Sequence, residues 1–146
     1  METAGYLGIQ MKIKVRTYDI DSAGHVSNIV YFRWLEDLRL QLFEEHFSFE
    51  EFVDQGYTPV IAASSIEYKR AIRLFDKPVG HMYLTEIRAA SIKFYGEIYV
   101  DDQLTTRATH TGVFVDSETM KPRRTPTVVI DKFRRAQQEE EAKNKA

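Results

Sequence analysis

Asp19, Asp21, His25 and Asn28 fall within ten residues, in the stretch DIDSAGHVSN, the densest gathering of chemically able side chains in the sequence. A positioned aspartate can take a proton from water or attack an electrophilic carbonyl itself. Asn28 opens a helical pattern, and a helix N-terminus presents unpaired backbone N–H groups and the positive end of a dipole. Such groups hold a developing oxyanion. A thioester suits this equipment, because its carbonyl is electrophilic and a thiolate leaves without a strong acid. The plainer reading is that both aspartates only cap turns and the helix start, which an arbitrary D-x-D ahead of a helix does more often than not.

Other readings of the same stretch fail on detail. A calcium loop starting at Asp19 has aspartate at its first and third positions and glycine at its sixth. It lacks an oxygen ligand at the fifth, Ala23, and a bidentate glutamate at the twelfth, Val30. A phosphoryl-transfer D-x-D follows a buried parallel strand, whereas here Lys12, Lys14 and Arg16 give the preceding strand a solvated face. There is no G-x-S-x-G, no phosphate-binding glycine loop and no H-E-x-x-H. His25, His46, His81 and His110 show no paired metal-ligand spacing, and each alone reads as a structural or surface residue. No metal and no bound cofactor are expected.

Composition narrows the field further. With 146 residues the chain suits one domain, and cysteine is absent, which removes disulfides, thiolate nucleophiles and cysteine-ligated metals. Twenty Lys and Arg against 22 Asp and Glu argue against a general nucleic-acid binder. No uncharged run approaches the roughly 18 residues of a membrane span, and METAGYLGIQMKIKV lacks the pattern of a signal peptide. A cytoplasmic location is expected, with no membrane or nucleic-acid partner.

The elements that must position the cluster follow from periodicity. Residues 1–7 read as a loose terminus. Ile9, Met11, Ile13 and Val15 then alternate with polar residues, as in a strand with one buried face. From Asn28 to about His46, Tyr31, Leu35, Leu38 and Leu42 form a helical stripe, with Ser27 placed as its N-cap. Ser48 and Glu51 read as a capping box for a short second helix ending near Gly56. Strands follow over 60–69, with Val60, Ala62, Ser64, Ile66 and Tyr68 on one side, and over 79–90, where Pro78 and Gly80 weaken the start. Two more run over 92–100 and 104–115, joined by an Asp101-Asp102 turn. Without helices between them, the later strands must be antiparallel neighbours. The expected fold is therefore α+β: a five-stranded antiparallel sheet wrapped around one long helix, the hotdog arrangement. Residues 1–133 form one domain, and 134–146 a charged, helix-friendly tail. An open sheet leaves an edge, so a homo-oligomer is expected, a dimer or a dimer of dimers.

The segment KVRTYDIDSAGHVSNIVYFRWLEDLR closely resembles the opening signature of the hotdog acyl-CoA thioesterases of the hydroxybenzoyl-CoA thioesterase type. IEYKRAIRLFD and DSETMKPRRTP extend the similarity to roughly residues 10–133. The resemblance implies hydrolysis of an acyl-CoA or acyl carrier protein thioester. It assigns the general base or nucleophile to Asp21, not Asp19, and carbonyl polarisation to the backbone N–H of Asn28, whose side chain also orients water. Gly24, His25 and Val26 then line the thioester end, and Tyr31 the substrate pocket. Arg88 and Ser91, with Lys121, Arg123 and Arg124, are candidates for contacting the phosphates or pantetheine of CoA, though a solvated surface role is commoner for any one of them. Departures from the family pattern at Ser27, Ala71, Phe75, Pro78 and Gly80 bear on the substrate more than on the chemistry. The alternative is a hotdog that binds acyl thioesters without hydrolysing them, as a sensor or carrier partner. A dehydratase site would need a histidine–carboxylate pair that His25 does not match.

Overall fold

A computed structural model describes residues 5–145. Strand β1 spans Tyr6–Lys12, followed by helices α1 (Asn28–His46) and α2 (Phe49–Asp54). Strands β2 (Tyr57–Tyr68), β3 (Val79–Ile87), β4 (Ile92–Val100) and β5 (Gln103–Asp116) come next. A two-residue β6 (Pro122–Arg123) and helix α3 (Thr127–Lys145) complete the order. The long strands are antiparallel in the order β1-β3-β4-β5-β2, with β6 on β5. This is the expected hotdog sheet and central helix, enlarged by β6 and α3. The terminus expected to be loose over 1–7 is corrected at Tyr6 and Leu7, which already belong to β1; residues 1–4 lie outside the described residues. The strand also ends earlier than its alternation suggests. Ile13 and Val15 remain buried, but Ile13 now donates its N–H to the Pro78 carbonyl (2.9 Å). The aspartate pair between β4 and β5 forms the turn, with φ of 49° at Asp101 and 62° at Asp102. Two successive left-handed residues match the twist of a tight hairpin.

Helix α1 sits on the sheet through Leu35, Leu38 and Leu42, all at most 1% exposed. Its close approach depends on two glycines. A Cβ on Gly80 of β3 would lie 2.8 and 3.0 Å from the two Leu38 methyls, and one on Gly96 of β4 would lie 3.1 Å from Leu35. Gly80 therefore does not weaken β3; it makes the seat into which the helix sinks. Around this contact lie two apolar clusters. One holds Leu38, Leu42, Phe43, Phe94 and Phe114, and the other holds Ile13, Val30, Tyr31, Trp34 and Ile98 beside the helix N-terminus.

Strand β2 changes face midway. Ile61 pairs with Gly112 and Ala63 with Thr111, so Ala62 is an extra residue opposite no partner. The bulge keeps Ser64, Ile66 and Tyr68 on the inner side as the alternation predicts. It reverses the rest: Tyr57 and Ile61 pack on the core, not Val60 and Ala62. Beyond β6, α3 is anchored by Val129 and Phe133, and the Phe133 ring meets Tyr6 edge-on at 5.3 Å. The Lys132 ammonium reaches the His46 carbonyl at the end of α1.

A double-mutant cycle on stability tests the seat. Gly80→Ala should cost about 1–3 kcal/mol by overpacking. Leu38→Ala should cost about 2–5 kcal/mol by leaving a cavity. The pair together should cost clearly less than the sum, because the shortened Leu38 makes room for the added methyl. Additive losses in denaturant titrations would show that Gly80 serves something other than Leu38.

Candidate active site

On an extended chain Asp19 and Asp21 would point the same way. The chain is not extended there: Thr17–Asp19 forms a single 3-10 turn. Asp19 is turned inward and only 5% exposed, its Oδ2 accepting the Arg16 N–H (2.9 Å) and its carbonyl accepting the Ser27 N–H (2.8 Å). It clasps the strand exit to the helix entrance. Asp21 lies beyond the clasp, exposed, in a small hairpin closed by an Ile20–Val26 bridge. Its N–H donates to the His25 carbonyl (2.9 Å) and its carbonyl accepts from Gly24 (3.0 Å). Its Oδ1 accepts the Ala23 N–H (2.9 Å), which orients the carboxylate and leaves Oδ2 outside that turn. Gly24 holds φ +80° with open space around its missing side chain, so only the backbone demands glycine there.

Val26 is buried and ties the hairpin to the Ile72 carbonyl (2.8 Å), which sets the start of α1 beside Asp21. Ser27 occupies the N-cap position but its side chain makes no capping bond. The Ser27 carbonyl accepts the Val30 N–H (2.9 Å), and the N–H groups of Asn28 and Ile29, ahead of that bond, have no acceptor within the helix. The carbonyl of Asn28 accepts from the Tyr68 hydroxyl of β2 (3.3 Å). Asp21, His25, Asn28, Tyr31, Tyr68 and Lys69 thus border one recess of ≈ 240 Å³. Tyr31 is its wall rather than a free arm. It is 2% exposed and packs edge-on against Trp34 (5.4 Å) and Tyr68 (5.0 Å). Burial pushes the Tyr31 and Tyr68 hydroxyls above their ordinary range, so both stay protonated donors.

Within one chain the structure brings Asp21, His25, Val26 and Asn28 together, with Gly24 completing the hairpin, but not Arg88 and Ser91. The register aligns Gly80, Ile98 and Tyr68 at the hairpin end of the sheet, and Ile87, Ile92 and Ile61 toward the opposite end. Arg88 and Ser91 form the β3–β4 turn at that far end (Arg88 N–H to Ser91 carbonyl, 2.8 Å), and Arg88 pairs with Glu86 at 2.7 Å. Arg123 stacks over Tyr57 (3.7 Å) and donates to the Gln55 carbonyl. Among the described residues no three His, Asp or Glu side chains gather closely enough to hold a metal ion.

A larger cavity of ≈ 510 Å³ lies farther along α1, between the helix and strands β2 and β5. Phe43, Phe49, Phe94 and Phe114 give it apolar walls, while Glu36, Arg39, Ser64 and His110 bring polar groups. His110 is 1% exposed; its Nδ1 meets Ser64 Oγ at 2.7 Å and its Nε2 has no partner. Burial, reinforced by the nearby Arg39 guanidinium, pulls the imidazole down from 6.5 to about 4. A lone histidine gave no sign of this. The available signal was its inward position on β5, between buried Ala108 and Gly112, where an apolar residue is expected.

Over residues 15–133 the chain matches the thioesterase-like superfamily. Among curated proteins nothing matches. Solved structures share the fold. A DHNA-CoA thioesterase from Staphylococcus aureus is 21% identical, with TM-score 0.81 over 94% of this chain and 93% of that one. A thioesterase from Thermus thermophilus, complexed with coenzyme A and Zn, is 20% identical, with TM-score 0.77 over 90% and 95%. YbaW, a probable thioesterase from Escherichia coli, is 28% identical, with TM-score 0.73 over 79% and 88%.

The buried imidazole makes stability depend on pH in a defined window. Below pH 6.5 an unfolded His110 binds a proton that the folded one, with its value near 4, does not. Stability must therefore fall as the pH drops from about 6.5 to 4. At 1.36 kcal/mol per unit the loss from this group is on the order of 3 kcal/mol. Denaturant titrations should show that slope in the parent chain and a shallower one in His110→Gln; equal slopes would refute the assignment.

Proposed function

Because the chain belongs to the thioesterase-like superfamily and is an enzyme of the thioester-hydrolase class, we propose that it hydrolyses an acyl-CoA or acyl carrier protein thioester with Asp21 as its base. The observation that carries this reading is the placement of an exposed, turn-oriented Asp21 carboxylate in one recess with the uncapped N-terminus of α1. The thioester carbonyl oxygen accepts from the Asn28 N–H, where the helix dipole favours the negative charge that grows on it. Asp21 Oδ2 takes a proton from a water whose oxygen adds to the carbonyl carbon, and the Asn28 side chain orients that water. The tetrahedral adduct then expels the thiolate, leaving the free acid. If Asp21 attacks directly, the same atoms give an anhydride that water opens in a second step. Single turnover in heavy-oxygen water separates the two, since only the anhydride route can place the enzyme's own oxygen in the product.

Gly24, His25 and Val26 form the rim at the thioester end, and Tyr31 backs it. For Arg88 and Ser91 to touch the CoA moiety of the same substrate, a second subunit has to bring them to the recess. This agrees with a homodimer or a dimer of dimers, which would also cover the edges left open at β1 and β2. Among the described residues no helix is long and apolar enough to cross a membrane. The cytoplasmic location expected from the sequence remains part of the proposal.

A thiol-release assay over a panel of acyl-CoAs tests the reading. Asp21→Asn should lower kcat by about 10²–10⁴-fold, the usual contribution of a positioned base, with substrate Kd little changed. Asp19→Asn should lose less activity, because its amide oxygen can still accept the Arg16 N–H. Binding without hydrolysis of any substrate would favour a sensor or carrier partner instead. Light scattering at micromolar concentration should give at least a dimer, and a monomer would refute the assembly.

A further inference from the structure

His110 is a buried polar group that the proposed hydrolysis does not use. With its pKa pulled down to about 4 the ring is neutral at ordinary pH, so one nitrogen carries a proton and the other does not. We assign the Ser64 hydroxyl as donor to Nδ1 across their 2.7 Å contact, which puts the ring proton on Nε2. That N–H then has no acceptor among the described residues. A buried donor without a partner is costly in a resting fold. Beside it in the same cavity stands Arg39, half-buried and outside every ion pair among the described residues, its guanidinium pulled down by burial. The charged groups lining the cavity are Arg33, Glu36 and Arg39, one positive charge in excess. A single anionic oxygen group would complete the imidazole donor, pair the guanidinium and balance the site.

The cavity lies in line with the recess that holds Asp21. Along β2, Tyr68 borders the recess and Ser64 borders the cavity; along α1, Asn28 borders the first and Phe32 and Glu36 the second. Ser64 and Tyr68 are four strand positions apart, a span of about 13 Å. An acyl group with its carbonyl at Asn28 can therefore extend beside the helix and present its far end to Ser64, His110 and Arg39. Between the two ends it would pass exposed Ile29 and Phe32, an apolar stretch suited to methylenes.

We propose that this cavity selects thioesters whose acyl group ends in a carboxylate, read by Arg39 and by His110 Nε2–H, with Ser64 as the positioning residue that fixes the imidazole tautomer. The proposal rests on the reading of Asp21 and Asn28 as the thioester end. Its test compares an ω-carboxyacyl-CoA with the acyl-CoA of the same carbon count that ends in a methyl. The parent enzyme should favour the carboxylate in kcat/KM by roughly 10- to 100-fold, the scale of a hydrogen bond to a charged group. Arg39→Met and His110→Gln should abolish the preference mainly through KM, while hydrolysis of the methyl-ended substrate persists. Ser64→Ala should weaken it less, by releasing the tautomer. Calorimetry with the free dicarboxylic acid supplies a readout that needs no turnover. Binding to the parent chain, reduced at least about tenfold in Arg39→Met, supports the cavity assignment even if no thioester is cleaved. If the methyl-ended substrate is cleaved equally well and the diacid does not bind, the proposal falls and the hydrolase reading stands.

Discussion

The contact of Leu35 and Leu38 with Gly80 and Gly96 is the constraint on which the site depends. Two missing side chains on neighbouring strands let α1 sink onto the sheet, and that depth fixes where the helix begins. The beginning is then locked from three sides. Asp19 accepts the Ser27 N–H through its carbonyl, Val26 bonds to Ile72, and Tyr68 reaches the Asn28 carbonyl. A donor aimed at a reacting carbonyl is useful only if it is held in place before the substrate arrives. Here the rigidity comes from apolar packing beneath the helix, and the exposed chemistry rests on it. Gly80 and Asn28 are far apart in sequence, but each holds its place through the same helix.

The two aspartates show how one local turn divides labour between like residues. In an extended chain a D-x-D pair shares one side and competes for one role. The 3-10 turn at Thr17–Asp19 rotates the first carboxylate into the protein, where it caps the turn it helps to form. The second is left at the rim with one oxygen held by Ala23. The capping reading thus falls on Asp19, and the carboxylate open to solvent is Asp21. Removing solvent from Asp19 and leaving it at Asp21 is what a protein needs when one carboxylate must be structural and the other must reach water.

What could be read in the sequence was what repeats. Period-two alternation located β1, β2 and β4, and the three-and-four spacing of apolar residues located α1, because burial on one face imposes those periods. The aspartate turn between β4 and β5 was legible because few residues accept two positive φ angles in succession. Single insertions were not legible. Ala62 adds one residue to β2 and flips every side chain before it, so the alternation points Val60 inward when Ile61 is the inner residue. Gly80 read as a weakness because its use lies across the fold on Leu38, which no local pattern displays. In the candidate site, the DIDSAGHVSN cluster announced its residue types but not their directions, which the 3-10 turn sets. Arg88 and Ser91 were grouped with it by type alone, and strand register separates them by most of the length of β3.

His110 escaped for a different reason: its meaning depends on a neighbour 46 residues away and on the absence of another partner. At its position on β5 a residue such as valine would pack without leaving a polar group unmatched. An imidazole there requires Ser64 to satisfy one nitrogen, leaves the other unsatisfied, and makes the fold sensitive to acid. Nothing in the packing of the sheet requires that arrangement, since the adjoining inward residues Ala108 and Gly112 are small and apolar. The stability forgone at His110 therefore has to be weighed against interactions formed only when the cavity is filled. The same helix that brings Asn28 to the recess brings Arg39 to that cavity about three turns on, so one rigid element sets the distance between the two ends of whatever lies along it.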